Sequence, residues 1–269
     1  MTGRPRALRA GAPAAAALLA ILSAAGCGPS MASPPKENPI LADLVDYRTG
    51  LSMLREGRAD EAIQLLVAAR KSSPRDPHVP NALGLALLYK NDYPNAVRAF
   101  SDALSLDATF VEARNNRGVA WLQAGRYDDA EADFQAVLDG PPTTEKVNAH
   151  YNLGLLYEKR ERYRDAEREF SLAIADAPDD IQAFRARGRV RMKLDQSAGA
   201  LEDVLVVLKT EDKDAVANYQ AAICLLGSGR RDLAGKFMQR AAAAAPESEE
   251  GRKAKRWLEN EPRPPEGNP

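Results

Sequence analysis

The stretch NALGLALLYKNDYPNAVRAFSDALSLD, residues 81–107, decides the fold. It aligns with NNRGVAWLQAGRYDDAEADFQAVLDGPP at 115–142 and with YNLGLLYEKRERYRDAEREFSLAIADAP at 151–178. One alanine recurs in phase at Ala62, Ala96, Ala130, Ala166, Ala200 and Ala234, at intervals of 34, 34, 36, 34 and 34. Four residues after it stand Phe100, Phe134 and Phe170 in three copies. Twelve before it stand Gly50, Gly84, Gly118, Gly154, Gly188 and Ala222; twelve after it stand Pro74, Pro142, Pro178 and Pro246. A fixed period of this length signals one supersecondary unit copied along the chain. The small residues let two helices approach closely. Gly57, Gly125 and Gly229 fall at the bend between them, where a left-handed residue ends a helix cheaply. One such unit cannot bury its own apolar face, so neighbours must stack.

This pattern resembles the tetratricopeptide repeat of paired helices. The resemblance predicts an all-α solenoid of six helix-turn-helix repeats, at 43–76, 77–110, 111–146, 147–180, 181–214 and 215–248. EEGRKAKRWLE at 249–259 reads as a capping helix, with Trp257 and Leu258 covering the last repeat. PRPPEGNP, within the tail 260–269, is too polar and Pro-rich to fold. The 36-residue interval places its extra residues in LDGPPTTEKVN, where Gly140, Pro141 and Pro142 stop a helix. That joint either breaks the curvature into three plus three repeats or is a silent insertion.

The first 26 residues have another character. Arg4, Arg6 and Arg9 precede an apolar run from Ala12 to Ser23, and small residues follow, as in a secretory signal. The run is short for a membrane span, which needs about 20 residues. Cys27 after Ala24-Ala25-Gly26 resembles a bacterial lipobox, although Ala24 stands where leucine is usual. The resemblance implies a chain cut before Cys27 and carrying palmitate-type acyl chains there, with no other cofactor. Two acyl chains suffice for stable anchoring, so three make a permanent tether. Gly28 in place of aspartate implies the outer membrane. Residues 27–42, the lipidated cysteine and a Pro-rich polar stretch, read as a flexible tether.

Composition narrows the function. Lys+Arg 37 against Asp+Glu 38 leaves no basic surface for nucleic acid. Cys224, within AAICLL, reads as a small buried hydrophobe. The two histidines, His78 and His150, have no second ligand at metal spacing, and neither HExxH nor a nucleophile elbow occurs. The expectation is a protein that is not an enzyme, with no metal and no small-molecule substrate.

That leaves binding. The repeat resemblance assigns the second, fifth, ninth and thirteenth positions of each first helix to a concave groove. Those positions supply Tyr47, Leu51, Leu85, Tyr89, Asn115, Val119, Tyr151, Leu155, Arg185, Arg189 and Tyr219 as the candidate protein-binding groove. The chaperone-type carboxylate clamp, with Lys at five and Asn at nine, is missing. An apolar groove suits an amphipathic helix or an extended apolar peptide, unless the side chains simply fill a tight superhelix. FRARGRVRMKL at 184–194 adds a basic stretch. Arg185 and Arg189 share a face and look into the groove. They contact an acidic peptide or a lipid phosphate, or they serve ion pairs. Arg187 and Arg191 stand where apolar residues are usual and call for Glu202 or Asp203 as partners.

Anchor, copy number and the DGPP insertion together resemble the type IV pilus secretin pilotins of the PilF, PilW and Tgl kind. The resemblance implies a lipoprotein on the periplasmic face of the outer membrane that helps a secretin subunit reach its membrane and multimerise. The alternative is a periplasmic adaptor lipoprotein that recruits a protease or cell-wall hydrolase.

Overall fold

The computed structural model describes residues 45–260. The signal segment 1–26, the lipidation site Cys27, the tether to residue 42 and all but the first residue of the tail lie outside the described residues. Among those described, thirteen helices and no strand occur. They are α1 Val45–Arg55, α2 Ala59–Ser72, α3 His78–Tyr89, α4 Tyr93–Leu106, α5 Val111–Gln123, α6 Tyr127–Leu138, α7 Glu145–Lys159, α8 Tyr163–Asp176, α9 Ile181–Lys193, α10 Ser197–Thr210, α11 Ala215–Gly227, α12 Arg231–Ala244 and α13 Glu249–Asn260. The fold is the all-α architecture expected, six helix pairs and one further helix.

The chain forms two compact units, one ending at Asn152 and the other beginning at Leu153. The division falls inside α7, several residues past the Pro141-Pro142 connection. The connection itself ends α6 at Leu138, whose carbonyl accepts from Lys146 Nζ at 2.6 Å.

Every pair bends in the same way. The residue at the bend has positive φ in all six: Gly57, Gly125 and Gly229 near 75°, and Asn91, Glu161 and Asp195 near 60°. Each bend closes with two reversed hydrogen bonds. At Glu161, for example, the Arg162 amide donates to the Tyr157 carbonyl at 2.8 Å, and the Glu161 amide to Glu158 at 3.0 Å. This is the Schellman termination, which satisfies carbonyls that the helix end leaves open. Glycine pays no steric penalty there; Glu161 does.

The in-phase glycines and phenylalanines are two halves of one contact. A Cβ on Gly84 would lie 2.6 Å from the Phe100 ring, and one on Gly118 2.5 Å from Phe134. In the second unit a Cβ on Gly154 would meet Phe170 at 2.5 Å. All three rings are fully buried. The other pairs use smaller partners: Leu66 at Gly50, Val204 at Gly188. Met238 and Ala222, the sixth such pair, share a buried cluster. Burying each ring removes one of the largest apolar surfaces in the repeat from water.

Near the C-terminus of the second unit, Trp257 and Leu258 pack on the cluster of Ala222, Leu225, Ala234, Met238, Ala241 and Ala254. The Arg231 guanidinium lies 5.6 Å above the Trp257 ring. Cys224 is buried and its thiol is pushed up by desolvation, which keeps it a packing residue.

Candidate protein-binding face

Helical periodicity turns one side of α1, α3, α5 and the start of α7 to the inner face of the first unit. The structure divides the expected groove residues there into two sets. Leu51, Leu85 and Tyr89 are half-buried and rest on the core. The Tyr89 hydroxyl sits over the Gly57 bend, 3.0 Å from where a Cβ on that glycine would be. Tyr47, Asn115, Val119 and Tyr151 are buried, at 6, 3, 4 and 4% exposure, and so do not form open surface. Tyr47 joins the core formed by Leu54, Leu66, Val79 and Leu83. The partner-accessible apolar strip is therefore narrower than the sequence pattern implied.

A polar seam runs beside that strip. Asn116 Nδ2 donates to Asn81 Oδ1 at 3.2 Å, and Asn81 Nδ2 donates to Glu112 Oε1 at 3.1 Å. Asn152 Nδ2 donates to Asn115 Oδ1 at 3.1 Å, and Asn148 Nδ2 to Glu145 Oε2 at 3.0 Å. Burial pushes the Glu112 carboxyl up, the Glu145 charge adds to this, and the Asn81 bond and His78 oppose it. Burial likewise raises the Tyr47 phenol well above its ordinary value, with Glu112 and Asp76 contributing. His78 itself packs edge-on against Phe110, with ring centroids 4.9 Å apart.

Of this seam, the repeat pattern points to Asn115 as a groove residue and leaves out Glu112, Glu145, Asn148 and Asn152. A signal was available. Glu112 and Asn148 occupy the second position of their repeats, one of the four positions assigned to the inner face.

In the second unit, Leu155 and Tyr219 are half-buried. The basic stretch on α9 is not an open cationic surface. Arg185 binds both Asp214 and Glu211, the latter at 2.7 Å. Arg189 holds Glu158 through Nε and Nη2, both at 2.7 Å. Arg187 forks onto Asp203 at 3.0 and 2.7 Å and adds Ser171 Oγ at 3.1 Å. Arg191 bridges Glu167 at 2.8 Å and Asp203 at 3.0 Å. The acidic-peptide or phosphate reading of Arg185 and Arg189 is thus corrected: both guanidinium groups are neutralised from within the fold. Asp203, not Glu202, answers Arg187 and Arg191, because it is the carboxylate on the buried side of α10.

The first unit contains the same staple. Arg117 forks onto Asp133 at 2.8 and 2.7 Å and reaches Ser101 Oγ at 3.1 Å. In both cases the arginine joins its own helix pair to the second helix of the preceding repeat. Bidentate geometry of this kind is the strong form of an ion pair.

The fold and face define a helical-repeat scaffold. Two models of the tetratricopeptide repeat match residues 81–143 and 122–190. The chain carries tetratricopeptide repeats. Its fold is similar to the crystal structure of PilW, described as a widely conserved type IV pilus biogenesis factor. The TM-score is 0.73 at 20% identity, over 81% of this chain and 100% of that one. It is similar also to PilF of Pseudomonas aeruginosa, with a TM-score of 0.71 at 17% identity, over 82% of this chain and 100% of that one. Among curated proteins, a lipoprotein NlpI homolog of Haemophilus influenzae is 38% identical over 69 residues, 26% of this chain and 22% of its own length. FlbA of Caulobacter vibrioides is 34% identical over 93 residues, 34% of this chain and 16% of its own length. The chain thus spans a fifth or less, or little more, of the length of these curated relatives.

Proposed function

We propose that this protein is an outer-membrane-anchored, pilotin-like scaffold that holds a secretin subunit and promotes its targeting or multimerisation in type IV pilus assembly. The observation that carries the reading is the half-buried apolar strip of Leu51, Leu85 and Tyr89 on repeat helices, in a fold like that of PilW and PilF over their whole length. The mechanism needs no turnover. Acyl chains on Cys27 confine the strip near the membrane and raise its effective concentration for an apolar segment of the partner.

The test is an immunoblot of unheated membranes for secretin multimers in a strain lacking the gene, complemented with wild type or with Leu85→Glu/Tyr89→Glu. Loss of multimers in the deletion, restored by wild type and not by the double variant, is expected. Undiminished multimers in the deletion would overturn the reading.

The local likeness to a protein named as a lipoprotein favours a second reading, an adaptor lipoprotein that recruits a periplasmic protease or cell-wall hydrolase. It predicts normal multimers and a hydrolase crosslinked to the same strip.

A further inference from the structure

Two amide oxygens on α7 have no hydrogen-bond partner although they are buried: Asn148 Oδ1 and Asn152 Oδ1. Their residues are 9% and 1% exposed. A buried acceptor left unsatisfied costs about 1–3 kcal/mol, and most such groups in folded proteins find a partner. Both asparagines use their nitrogen within the seam, on Glu145 and Asn115 respectively. What remains unused on both is acceptor capacity.

Helical spacing gathers these groups. Glu145, Asn148 and Asn152 are three and seven residues apart and share one face of α7, while Glu112 and Asn115 share one face of α5. The Asn152–Asn115 hydrogen bond ties α7 to α5 and so sets Glu112, one turn before Asn115, beside the first turns of α7 that carry Glu145 and Asn148. Neither forms an ion pair with a lysine or arginine among the described residues. The contrast with other burial-prone carboxylates is sharp, since Asp133, Asp203 and Asp214 each hold an arginine.

We infer that the inner face of the first unit binds a cationic side chain, a lysine or arginine of the captured protein segment, between the half-buried carboxylates of Glu112 and Glu145, whose buried neighbours Asn148 and Asn152 leave only acceptor capacity unused. The inference rests on the protein-binding reading above and names the chemistry of the partner's anchor. A guanidinium or ammonium is donor-only and matches a site that offers acceptors only. It neutralises two like charges that no lysine or arginine among the described residues answers. The neighbouring Leu85 and Tyr89 then take the apolar residues flanking the cation.

The probe is a pair of acetylated, amidated undecapeptides of alternating leucine and serine. One carries a central arginine, the other the uncharged isostere citrulline. Each is titrated calorimetrically into the full-length protein in detergent micelles. Charge-assisted hydrogen bonds predict a preference of at least about tenfold for arginine. That preference disappears in Glu112→Gln/Glu145→Gln, whose thermal unfolding midpoint, at or above that of wild type, shows it is folded. Equal affinity for the two peptides, no measurable binding of either, or a preference that persists in the double variant overturns the site.

The secretin immunoblot separates this result from the broader reading. Multimers lost on deletion together with no arginine preference would remove the cation site and leave the scaffold. An arginine preference together with undiminished multimers would remove the pilotin assignment and leave the site.

Discussion

The inner helices of the two units carry charge in opposite ways. On α9 of the second unit, Arg185, Arg187, Arg189 and Arg191 are each matched by carboxylates from neighbouring helices or from the α10–α11 connection. On α5 and α7 of the first unit, Glu112 and Glu145 have only amides as hydrogen-bond partners among the described residues. The arginine-rich helix is the conspicuous one in the sequence, yet its charge is spent inside the fold. The asparagine and glutamate seam is inconspicuous, yet it keeps acceptors with nothing to accept. A charged stretch marks a binding surface only when its charge is not already answered.

The largest test of this comparison is Arg187→Ala. It leaves the buried Asp203 with Arg191 alone. Removing one partner of a buried pair costs about 3–5 kcal/mol when the other charge is left uncompensated, and the remaining Arg191 bond brings Arg187→Ala to the low end of that range. Urea unfolding of Arg187→Ala should show a loss of that order. Replacing the pair together, as Arg187→Met/Asp203→Leu, should recover most of it. A loss under about 0.5 kcal/mol, as at an exposed ion pair, would mean the arginines are free for a ligand.

Next in size is Gly118→Ala. Its new methyl would sit 2.5 Å from the Phe134 ring, well inside contact distance. Overpacking of this kind costs about 1–3 kcal/mol. Gly118→Ala/Phe134→Leu should regain part of the loss, which is read from the same unfolding curves.

A smaller effect belongs to the bends. Glu161 holds φ 58° without being glycine. Left-handed backbone costs an ordinary residue about 1–2 kcal/mol. Glu161→Gly should therefore raise the unfolding free energy, by up to about 1 kcal/mol once the extra freedom of the unfolded chain is counted. The reverse change at Gly125, to alanine, should lower it by a similar amount.

The smallest effect is the most informative for function. Burial raises the Glu112 carboxyl above its unfolded value. Its protonated form is favoured in the folded protein, so its contribution to stability is full below the unfolded value and is lost as pH rises through the folded one. Ionised Glu112 is thus a liability at neutral pH. Glu112→Gln should unfold at higher urea than wild type at pH 7. The gap should close as pH falls through the carboxylate range. A residue that lowers stability while serving the arginine peptide is behaving as a binding group.

Much of this architecture was legible in residues 81–107 and their copies, because close packing leaves a fixed trace. Gly84 must be small where Phe100 is large, and the two recur together. The site was less legible. Ninth and fifth positions name a face of one helix and say nothing of how far the next helix covers it. That is why Tyr47, Val119 and Tyr151 were expected in the open and are buried. Pairing was still harder to foresee. The fork of Arg117 on Asp133 spans 16 residues, and the Ser101 contact another 16 in the other direction. No local pattern announces it, although the same spacing recurs at Arg187.

The most direct measurement places a photo-crosslinking residue at Leu85 or Tyr89 in the first unit and at Arg189 in the second, in cells expressing the full chain. Membranes are then probed with secretin antibody. The account predicts a secretin adduct from Leu85 and Tyr89, absent when Cys27→Ser removes the anchor, and none from Arg189. An adduct from Arg189 alone, or secretin multimers formed normally with no adduct from either unit, would contradict it.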